Sequence, residues 1–524
     1  MSDSFCTILN ESLPLCFARD ELCKYALKEE NEHIHFKLGL EMDFLDKGLI
    51  KKPKLSNMYD LDAYYFRQKD HEIYIIGSNP RSVLFGVYFV LKKMYGYKWV
   101  SFLPEENLKY HDFHFHSRKI HFGRMKRRGL VVENYEDELF LVQLIDWAAK
   151  HHINEMFFTF KLWESMKHVL APEIEKRGLT ITLGGHSMHY LLDGIVDSKN
   201  AQIDFTTVEW RVPLFKKIRK ICQESNAIQR VSLWPADIGA SNDPKFLANY
   251  IQFSNELQAN LKEIEVEHIA YNAGLSWEML ELINEEDASN EVNTLFAYWG
   301  RNYHQSFENE ERAYRSLQKW QEAVQSNGKT LTIFEYYSDH FMLGDLFPPL
   351  FSRIHEDINL FKKMGIDSIV NLIVQYRLKE HALALDKRYP WQLTQLLNGY
   401  FFARLSWGDH FQDIEGDFYS NFGIKAKMVR EALVKLESIL SKSSKWNVPL
   451  FPNRLIDPEK VDQSEYVSEI VQDLKKWKND IQELKEIRIS IETITDFSSL
   501  ISFYIYYISY KLEDYLSKWT EKFE

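Results

Sequence analysis

The sequence predicts an α/β protein with a central (β/α)8 TIM barrel, a small α/β domain before it and a helical region after it. Three observations lead to this prediction. Short apolar runs recur eight times between residues 129 and 374, each separated from the next by a helical or polar segment. The residues before them mix strand-like runs with one helix, and the strand signal is lost after about residue 385. The predicted domains are therefore 1–120, 121–384 and 385–524.

In the first domain, the segments 33–40, 71–80 and 111–122 have the composition of strands. Between the last two lies a helical stripe, which follows the turn SNP and is closed by Gly96. Its apolar residues recur at helical spacing, and they are Val83, Leu84, Val87, Leu91 and Met94. These patterns predict a small α/β domain.

Eight strands are predicted for the barrel because buried parallel strands, covered on both faces, are continuous apolar runs. The runs are 129–134, 153–160, 179–185, 230–237, 268–274, 293–300, 330–337 and 367–374. Intervening segments such as ELFLVQLIDWAAKHH have the pattern of crossover helices, and 201–229 is long enough for extra helical turns. Eight strand–helix units over about 250 residues match a (β/α)8 barrel, and a doubly wound open sheet is the main alternative.

The C-terminal region contains amphipathic helical patterns in which charges interleave with apolar residues, as in SEYVSEIVQDLKKWKNDIQELKEIRISIETI. Such charged faces are usually solvated surface. The segment WKNDIQELKEI has an alternative interpretation, in which it packs against a second subunit and makes the protein a homo-oligomer.

The composition excludes several classes of partner. A net charge of −12 gives no electrostatic footprint for nucleic acid or an anionic membrane. The first 25 residues lack the pattern of a secretory signal, and the four cysteines form no CxxC pair. The most apolar late stretch, 500–510, is shorter than the roughly 20 residues of a membrane-spanning helix. We therefore expect a cytoplasmic protein with free thiols and no membrane segment.

Candidate catalytic residues lie at the carboxyl ends of the predicted strands, because those ends converge on the mouth of a barrel. Glycosidic hydrolysis needs one carboxylic acid to protonate the leaving oxygen and a second group to stabilise or trap the oxocarbenium-like centre. Asp237 on strand four and Glu335 on strand seven are predicted to face each other across the mouth, and Glu133 on strand one is a third acid. A strand-end carboxylate can instead cap a helix or pair with an arginine, and this alternative stays open for each acid.

Other strand-end residues are candidates for binding substrate, because aromatic faces stack on sugar rings and polar side chains reach hydroxyl groups. With Glu133, they are Asn134, His186, His189, Trp234, Asn272, Trp299, Arg301, Tyr336 and Tyr337. No third ligand accompanies His186 and His189, so no metal site is predicted. The sequence has no phosphate-binding loop, nucleophile elbow or dinucleotide fingerprint where one would count, so no cofactor is expected.

The segments IIGSNPRSVLFGVYFVLKKMYGYKWV and RRGLVVEN resemble the α/β domain and barrel entrance of α-glucuronidases and β-N-acetylhexosaminidases. Further on, KRGLTITLGGHSMHYLL, VSLWPADIGASND and IFEYYSDHFM resemble the domain-of-unknown-function 4838 group, which includes glycoside hydrolase family 163. That resemblance implies an endo-acting β-N-acetylglucosaminidase that works through the acetamido group of its substrate. The hexosaminidase barrel has an Asp-Glu pair after strand four, where this sequence has Ala236-Asp237-Ile238, so that pair of roles does not transfer.

The leading hypothesis is a glycoside hydrolase acting on a β-linked N-acetylhexosaminide or a uronic-acid-containing oligosaccharide. One alternative is a non-catalytic carbohydrate-binding protein on the same barrel, which the missing Asp-Glu pair favours. Another is a barrel lyase or isomerase in which His186 is the base.

Overall fold

The computed structural model describes most of the chain, with short gaps. The described residues are 5–26, 34–102, 108–133, 136–196, 203–236, 245–272, 277–282, 288–374, 392–446, 464–491 and 496–523. Statements about the fold below refer to these residues.

The N-terminal part is a five-stranded sheet with helices. Its strands are β1 (Cys6–Ile8), β2 (His35–Leu40), β3 (Ala63–Lys69), β4 (Glu72–Gly77) and β5 (Ile120–Phe122). Its helices are α1 (Leu13–Tyr25), α2 (Glu41–Asp46) and α3 (Pro80–Tyr95). The strand order is β1-β2-β4-β3-β5, with β1, β2 and β4 parallel and β3 antiparallel to both of its neighbours.

Helix α3 is the helix that the sequence predicts. The Asn79 side chain caps it by accepting from the Ser82 amide at 2.9 Å, and Gly96 ends it with a φ of +79°. Strand β3 was not anticipated, because its aromatic residues face two hydrophobic clusters and leave no alternation in the sequence. The predicted strand at 111–122 pairs only from Ile120 onward.

The eight apolar runs form eight parallel strands of a closed barrel. They are β6 (Arg127–Val132), β7 (Glu155–Thr159), β8 (Thr180–Gly185), β9 (Ile228–Leu233), β10 (Glu265–Tyr271), β11 (Asn293–Ala297), β12 (Leu331–Asp339) and β13 (Ser368–Val374). The last strand closes the barrel by pairing with the first, from Ser368 opposite Arg127 to Ile373 opposite Val132. This closure confirms the (β/α)8 prediction and rules out an open sheet.

Helices surround the barrel on its outside. They are α4 (Glu138–Lys150), α5 (Phe160–Glu175), α6 (Met188–Leu192), α7 (Arg211–Cys222), α8 (Phe246–Asn260), α9 (Glu311–Ser326), α10 (His340–Leu343), α11 (Phe351–Lys363) and α12 (Gln392–Trp407). Helix α12 is fastened to β12, because the Gln395 side-chain amide donates to the Ser338 carbonyl at 2.8 Å and that of Asn398 donates to the Tyr337 carbonyl at 2.8 Å. Helix α12 is therefore the helix that follows the eighth strand, β13, and it is bonded to the seventh, β12.

The remaining C-terminal elements are helical, as the sequence predicts. They are α13 (Phe411–Tyr419), α14 (Ala426–Leu440), α15 (Ser464–Gln482), α16 (Lys485–Ile491) and α17 (Asp496–Phe523). Helix α17 contacts the loop after β12, where the Tyr504 hydroxyl donates to the Phe347 carbonyl at 2.8 Å. Within the described part of the chain, no helix combines the length and the apolar character needed to span a membrane.

At the amino ends of the strands, the barrel interior holds a layer of paired charges. Arg127 on β6 lies 2.7 Å from Glu155 on β7 and 2.6 Å from Glu267 on β10. Arg230 on β9 lies 2.6 Å from the second oxygen of Glu155. Because these strands lie around the whole barrel, their side chains can meet only inside it. Alternate residues of each strand therefore face inward, starting with Arg127 on β6.

Candidate functional site

The inward-facing side of β12 is identified by an aromatic layer above the paired charges. The ring of Trp234, which follows β9, lies 5.3 Å from the ring of Phe157 on β7 and 5.3 Å from the ring of Phe334 on β12. These three strands are not neighbours in the barrel, so the rings meet in its interior. Because side chains alternate along a strand, Glu335 faces the opposite side, toward the helices.

Glu133 lies at the mouth of the barrel. It follows β6 in the alternating series that begins with Arg127, and so it faces inward. Its carboxylate reaches past β7 to the end of β8, since a methyl group added at Gly185 would lie 2.6 Å from Glu133 Oε1 and 3.3 Å from Thr159 Cγ2. The structure describes two of the candidate acids, Glu133 and Glu335, and of these Glu133 is the one that lies at the mouth.

The two glycines at the end of β8 make this approach possible. A side chain at Gly184 would meet the Ser232 carbonyl oxygen of β9 at 1.7 Å, so β8 and β9 pack too closely there for any other residue. Gly185 has a φ of +66°, which side-chain-bearing residues rarely adopt. The groups that approach this pair of glycines are therefore the Ser232 backbone and the Glu133 carboxylate.

His186 lies beside these glycines and is held to the end of strand four. Its Nδ1 is 2.9 Å from the Pro235 carbonyl oxygen, which also accepts from the Tyr271 hydroxyl at 3.1 Å. Because a carbonyl oxygen only accepts, Nδ1 carries the hydrogen of this bond. Asp237 is two positions beyond Pro235 and, like Asn134, lies outside the described residues, so the roles predicted for both stay predictions.

Asn272, Trp299 and Tyr336 occupy the other side of the mouth. Asn272 uses both side-chain polar atoms on the Trp299 backbone, since Nδ2 donates to the carbonyl at 2.7 Å and Oδ1 accepts from the amide at 2.8 Å. These bonds fix the half-buried Trp299 at the end of strand six. The Tyr336 ring packs 4.8 Å from Phe334 and belongs to the inward-facing series of β12.

Glu335 lies in a buried network behind strand seven. Arg301 donates to Glu335 Oε1 at 2.7 Å, and the Tyr303 hydroxyl donates to Oε2 at 2.8 Å. The same guanidinium donates to Asp357 of α11 at 2.7 Å, and the Tyr337 hydroxyl donates to the other Asp357 oxygen at 2.9 Å. Both carboxylates therefore have their partners within the fold.

Arg301 is the cation that contacts both acids at 2.7 Å, and Arg353 lies farther away, 3.7 Å from Asp357. Burial raises the pKa of Glu335 to about 7, against the favourable charge of Arg301 and with a further increase from Asp357. Burial therefore favours the protonated, uncharged form of the Glu335 carboxyl.

This placement of Glu335 differs from the expectation that it faces a sugar at the mouth, and Asp237, its expected partner there, lies outside the described residues. Arg301, Glu335 and Tyr337 are brought together with one another, on the helix-facing side of β12, and not with Glu133 at the mouth. Tyr303 and Asp357 complete the network and were not nominated from the sequence. Asp357 had a detectable signal, because it is an acid on the apolar face of an amphipathic helix.

The second histidine of GGHSMH is exposed. His189 lies in the first turn of the short helix α6, whereas His186 faces Pro235. Among the residues that the structure describes, no group of three His, Cys, Asp or Glu side chains is arranged to hold a metal ion.

Comparison of the sequence with known protein families and with curated proteins finds no match. Solved structures are similar in fold. An enzyme of family GH138 that targets the pectin rhamnogalacturonan II has a TM-score of 0.61 at 12% identity, over 98% of this chain and 68% of that one. A family GH115 4-O-methyl-α-glucuronidase with specificity for decorated arabinogalactans has a TM-score of 0.58 at 10% identity, over 99% and 76%. The protein CpGH84D has a TM-score of 0.53 at 11% identity, over 99% and 90%. At these identities the similarity shows the fold alone.

Proposed function

We propose that this protein is a glycoside hydrolase whose active site is the mouth of the barrel, with Glu133 as its acid. The observation that carries the proposal is the Glu133 carboxylate lying against Gly185 at the carboxyl ends of the strands. This is the end of a (β/α)8 barrel at which enzymes of this fold place their reactive groups. The glycosidases of similar fold support the reaction class.

Glu133 would protonate the glycosidic oxygen as the leaving group departs. The second group needed at the sugar centre has two candidates. One is Asp237, which the sequence places just after the strand-four residues that contact His186. The other is the acetamido group of an N-acetylhexosaminide, which can itself attack the anomeric carbon in substrate-assisted hydrolases. Under either mechanism Glu335 acts as a structural residue of the strand-seven network.

Aromatic residues around Glu133 suit a carbohydrate. Trp299 is half-buried, and Asn272 fixes its backbone at the end of strand six, so we propose that its ring stacks on a sugar at the mouth. Trp234 is 2% exposed and supports the mouth from below. We therefore propose a β-linked N-acetylhexosaminide or a uronic-acid-containing oligosaccharide as substrate, with Trp299 stacking on a sugar ring.

The proposal is tested by a screen of the purified protein against oligosaccharides and aryl glycosides, chiefly N-acetyl-β-glucosaminide, β-galactoside and α-glucuronide. Oligosaccharides are needed because an endo-acting enzyme can ignore small aryl glycosides. Asp237→Asn is run on any active substrate. A loss of kcat that added azide restores would assign Asp237 as the nucleophile, whereas activity specific to N-acetylated sugars with a modest Asp237→Asn effect would assign the acetamido route.

A non-catalytic carbohydrate-binding protein is the second candidate. It is favoured by the burial of Glu335, which removes one of the two acids predicted for catalysis. Glycan binding measured by calorimetry, together with no hydrolysis of the bound glycan over days, would support this alternative and contradict the hydrolase proposal.

A further inference from the structure

A second concave site lies at the opposite end of the barrel from Glu133. It is a cavity of about 860 Å³ between the N-terminal sheet and helices α12 and α13. Its walls include Lys126 and Asp367, which precede β6 and β13, and His152, which precedes β7. These positions flank the amino ends of the strands, whereas the proposed active site lies at their carboxyl ends. The cavity is therefore separate from the proposed active site.

The cavity is basic although the protein is acidic. Among the residues that the structure describes, nine lysine and arginine side chains and four aspartate side chains line it, in a chain whose net charge is −12. A concave site lined by one sign of charge concentrates the opposite ion, because its low-dielectric walls focus the field. The expected occupant is therefore an anion.

Part of this charge is neutralised within the fold. Lys92 of α3 lies 2.6 Å from Asp417, and Arg404 of α12 lies 2.9 Å from the same carboxylate oxygen. Arg404 also pairs with Asp409. These two cations and two acids balance one another and join the N-terminal sheet to the C-terminal helices.

Arg124, Lys93 and Lys119 are three of the other cations that line the cavity. Arg124 donates to the side-chain amide of Asn359 at 2.7 Å, and Lys93 lies over the Phe89 ring. Across the described ranges, no carboxylate pairs with Arg124, Lys93 or Lys119. Burial alone lowers the pKa of Arg124, because no neighbouring acid opposes it. These three side chains therefore contribute to the excess positive charge of the cavity, together with Lys98 and Lys362.

Arg124 is fixed in position by the end of α12. Its amide donates to the Trp407 carbonyl at 2.8 Å, and the amide of Met125 donates to the Ser406 carbonyl at 2.9 Å. Gly408, with a φ of +111°, allows this approach, since a side chain there would lie 3.2 Å from Arg124 Cβ. These bonds fix the backbone of Arg124, and the bond to Asn359 holds its guanidinium.

Aromatic rings form the remaining wall. The His121 ring stacks 5.1 Å from Tyr64, the Tyr64 ring 5.8 Å from Trp407, and the Trp407 ring 4.4 Å from His152. Burial, together with Lys119 and Lys93, lowers the pKa of His121 to about 4, so its ring is neutral. Phe122, at the edge of the cavity, is 51% exposed. An occupant therefore meets apolar ring surface as well as charge.

We propose that this cavity binds a small organic molecule carrying a phosphate or sulfate ester, whose anionic group is held by Arg124, Lys119 and Lys93. A phosphate or sulfate ester offers three terminal oxygens to these cations, against the two oxygens of a carboxylate. The molecule's apolar face packs against His121, Phe122 and Trp407. The cavity volume lies in the range of small-molecule sites, roughly 300–1,000 Å³, and is too small for a polymer.

The test is isothermal titration calorimetry on the full-length protein at constant, low ionic strength. The probes are glucose 6-phosphate, N-acetylglucosamine 6-sulfate, inorganic phosphate, inorganic sulfate and glucose. At least one ester should bind, more tightly than its inorganic ion because of the aromatic wall, and glucose should not bind. The tighter ester identifies the anionic group.

Lys119→Gln should weaken ester binding about tenfold, and Lys119→Gln combined with Arg124→Gln should abolish it. Lys427→Gln is the matched control, because Lys427 lies on α14 with 89% of its side chain exposed. If Arg124→Gln does not fold, the exposed Lys93 and Lys119 still carry the test. Absence of binding by both esters, or equal binding by Lys119→Gln and Lys427→Gln, would overturn the proposal.

Discussion

The acids at the ends of strands one and seven lie in opposite settings. Glu133 follows β6, faces the barrel interior and lies against a glycine whose missing side chain leaves room for it. Glu335 lies on β12, faces the helices and is held by Arg301 and Tyr303. Both are carboxylates at the same end of the same barrel, and only the first is positioned to meet a ligand at the mouth.

Strand position alone therefore does not identify a catalytic acid. A strand end supplies side chains to two surfaces, one inside the barrel and one beneath the helices. An acid on the outer surface becomes part of the packing between strand and helix, where it needs partners to be tolerated. Variants at Glu133, Arg301, Glu335 and Gly185 test this contrast between the two acids, and the largest effect is expected at Glu133.

Glu133→Gln should lower kcat/KM by about 10²–10⁴-fold on whichever glycoside is cleaved, because the amide cannot donate the proton. Stability should change little, since the replacement has the same shape. Glu136→Gln, an exposed neighbour in the sequence, is the matched control and should retain full activity. Steady-state kinetics with thermal melts measure both effects, and full activity in Glu133→Gln would remove Glu133 from the mechanism.

Arg301→Leu should lower the free energy of unfolding by about 3–5 kcal/mol, because it removes the cation that contacts two buried carboxylates. Arg430→Leu breaks an exposed pair with Glu415 and should cost less than about 1 kcal/mol. Urea denaturation measures both values. If Arg301→Leu or Glu335→Gln lost kcat while keeping full stability, strand seven would regain a catalytic role.

The contribution of Glu335 to the stability of the wild type should fall as pH rises through the window from about 4.5 to 7. Glu335 binds its proton near pH 7 in the folded protein and near 4.5 when unfolded, so the folded state holds the extra proton in that window. Glu335→Gln removes this dependence, and the difference between the two proteins should change by up to about 3 kcal/mol. Subtracting one curve of stability against pH from the other removes the contribution of the buried histidines, which both proteins share. If the two curves ran parallel, the raised pKa of Glu335 would be contradicted.

Gly185→Ala should cost about 1–2 kcal/mol of stability and at least about tenfold in activity, because the new methyl group displaces the Glu133 carboxylate. Gly194→Ala is the matched control, since Gly194 has a φ of +77° and nothing within 4 Å of the added methyl. Both variants share the backbone strain, so their difference measures the contact with Glu133. Equal activity in the two variants would show that this contact has no catalytic consequence.

Most of the fold could be predicted from local patterns. All eight barrel strands lie at or next to predicted runs, and α3 begins and ends where Asn79 and Gly96 indicate. Strand β3 was missed because both of its faces are covered, by one hydrophobic cluster around Tyr64 and another around Tyr65. Without alternation, no period distinguished that run from a buried loop or helix.

The residues that face the mouth of the barrel could be predicted only in part, because strand β12 also lacks an alternating pattern. In β12 all nine residues are buried, so the run LTIFEYYSD does not reveal which of Phe334 and Glu335 faces inward. The contacts of Phe334 with Trp234, and of Glu335 with Arg301, decide it. The cavity at the amino ends of the strands could not be predicted from the sequence either, because Lys93, Lys119 and Arg124 line one cavity only after the N-terminal sheet packs on α12.

Periodicity and turn chemistry along the chain are sufficient to predict the number of barrel strands, the helical C-terminal region and the set of strand-end residues. The packing of the folded chain is needed to see which strand-end acid faces the mouth and which is buried among partners. The facing of a strand that is apolar on both sides depends on what packs against it. That information lies in contacts between distant segments and not in any local pattern.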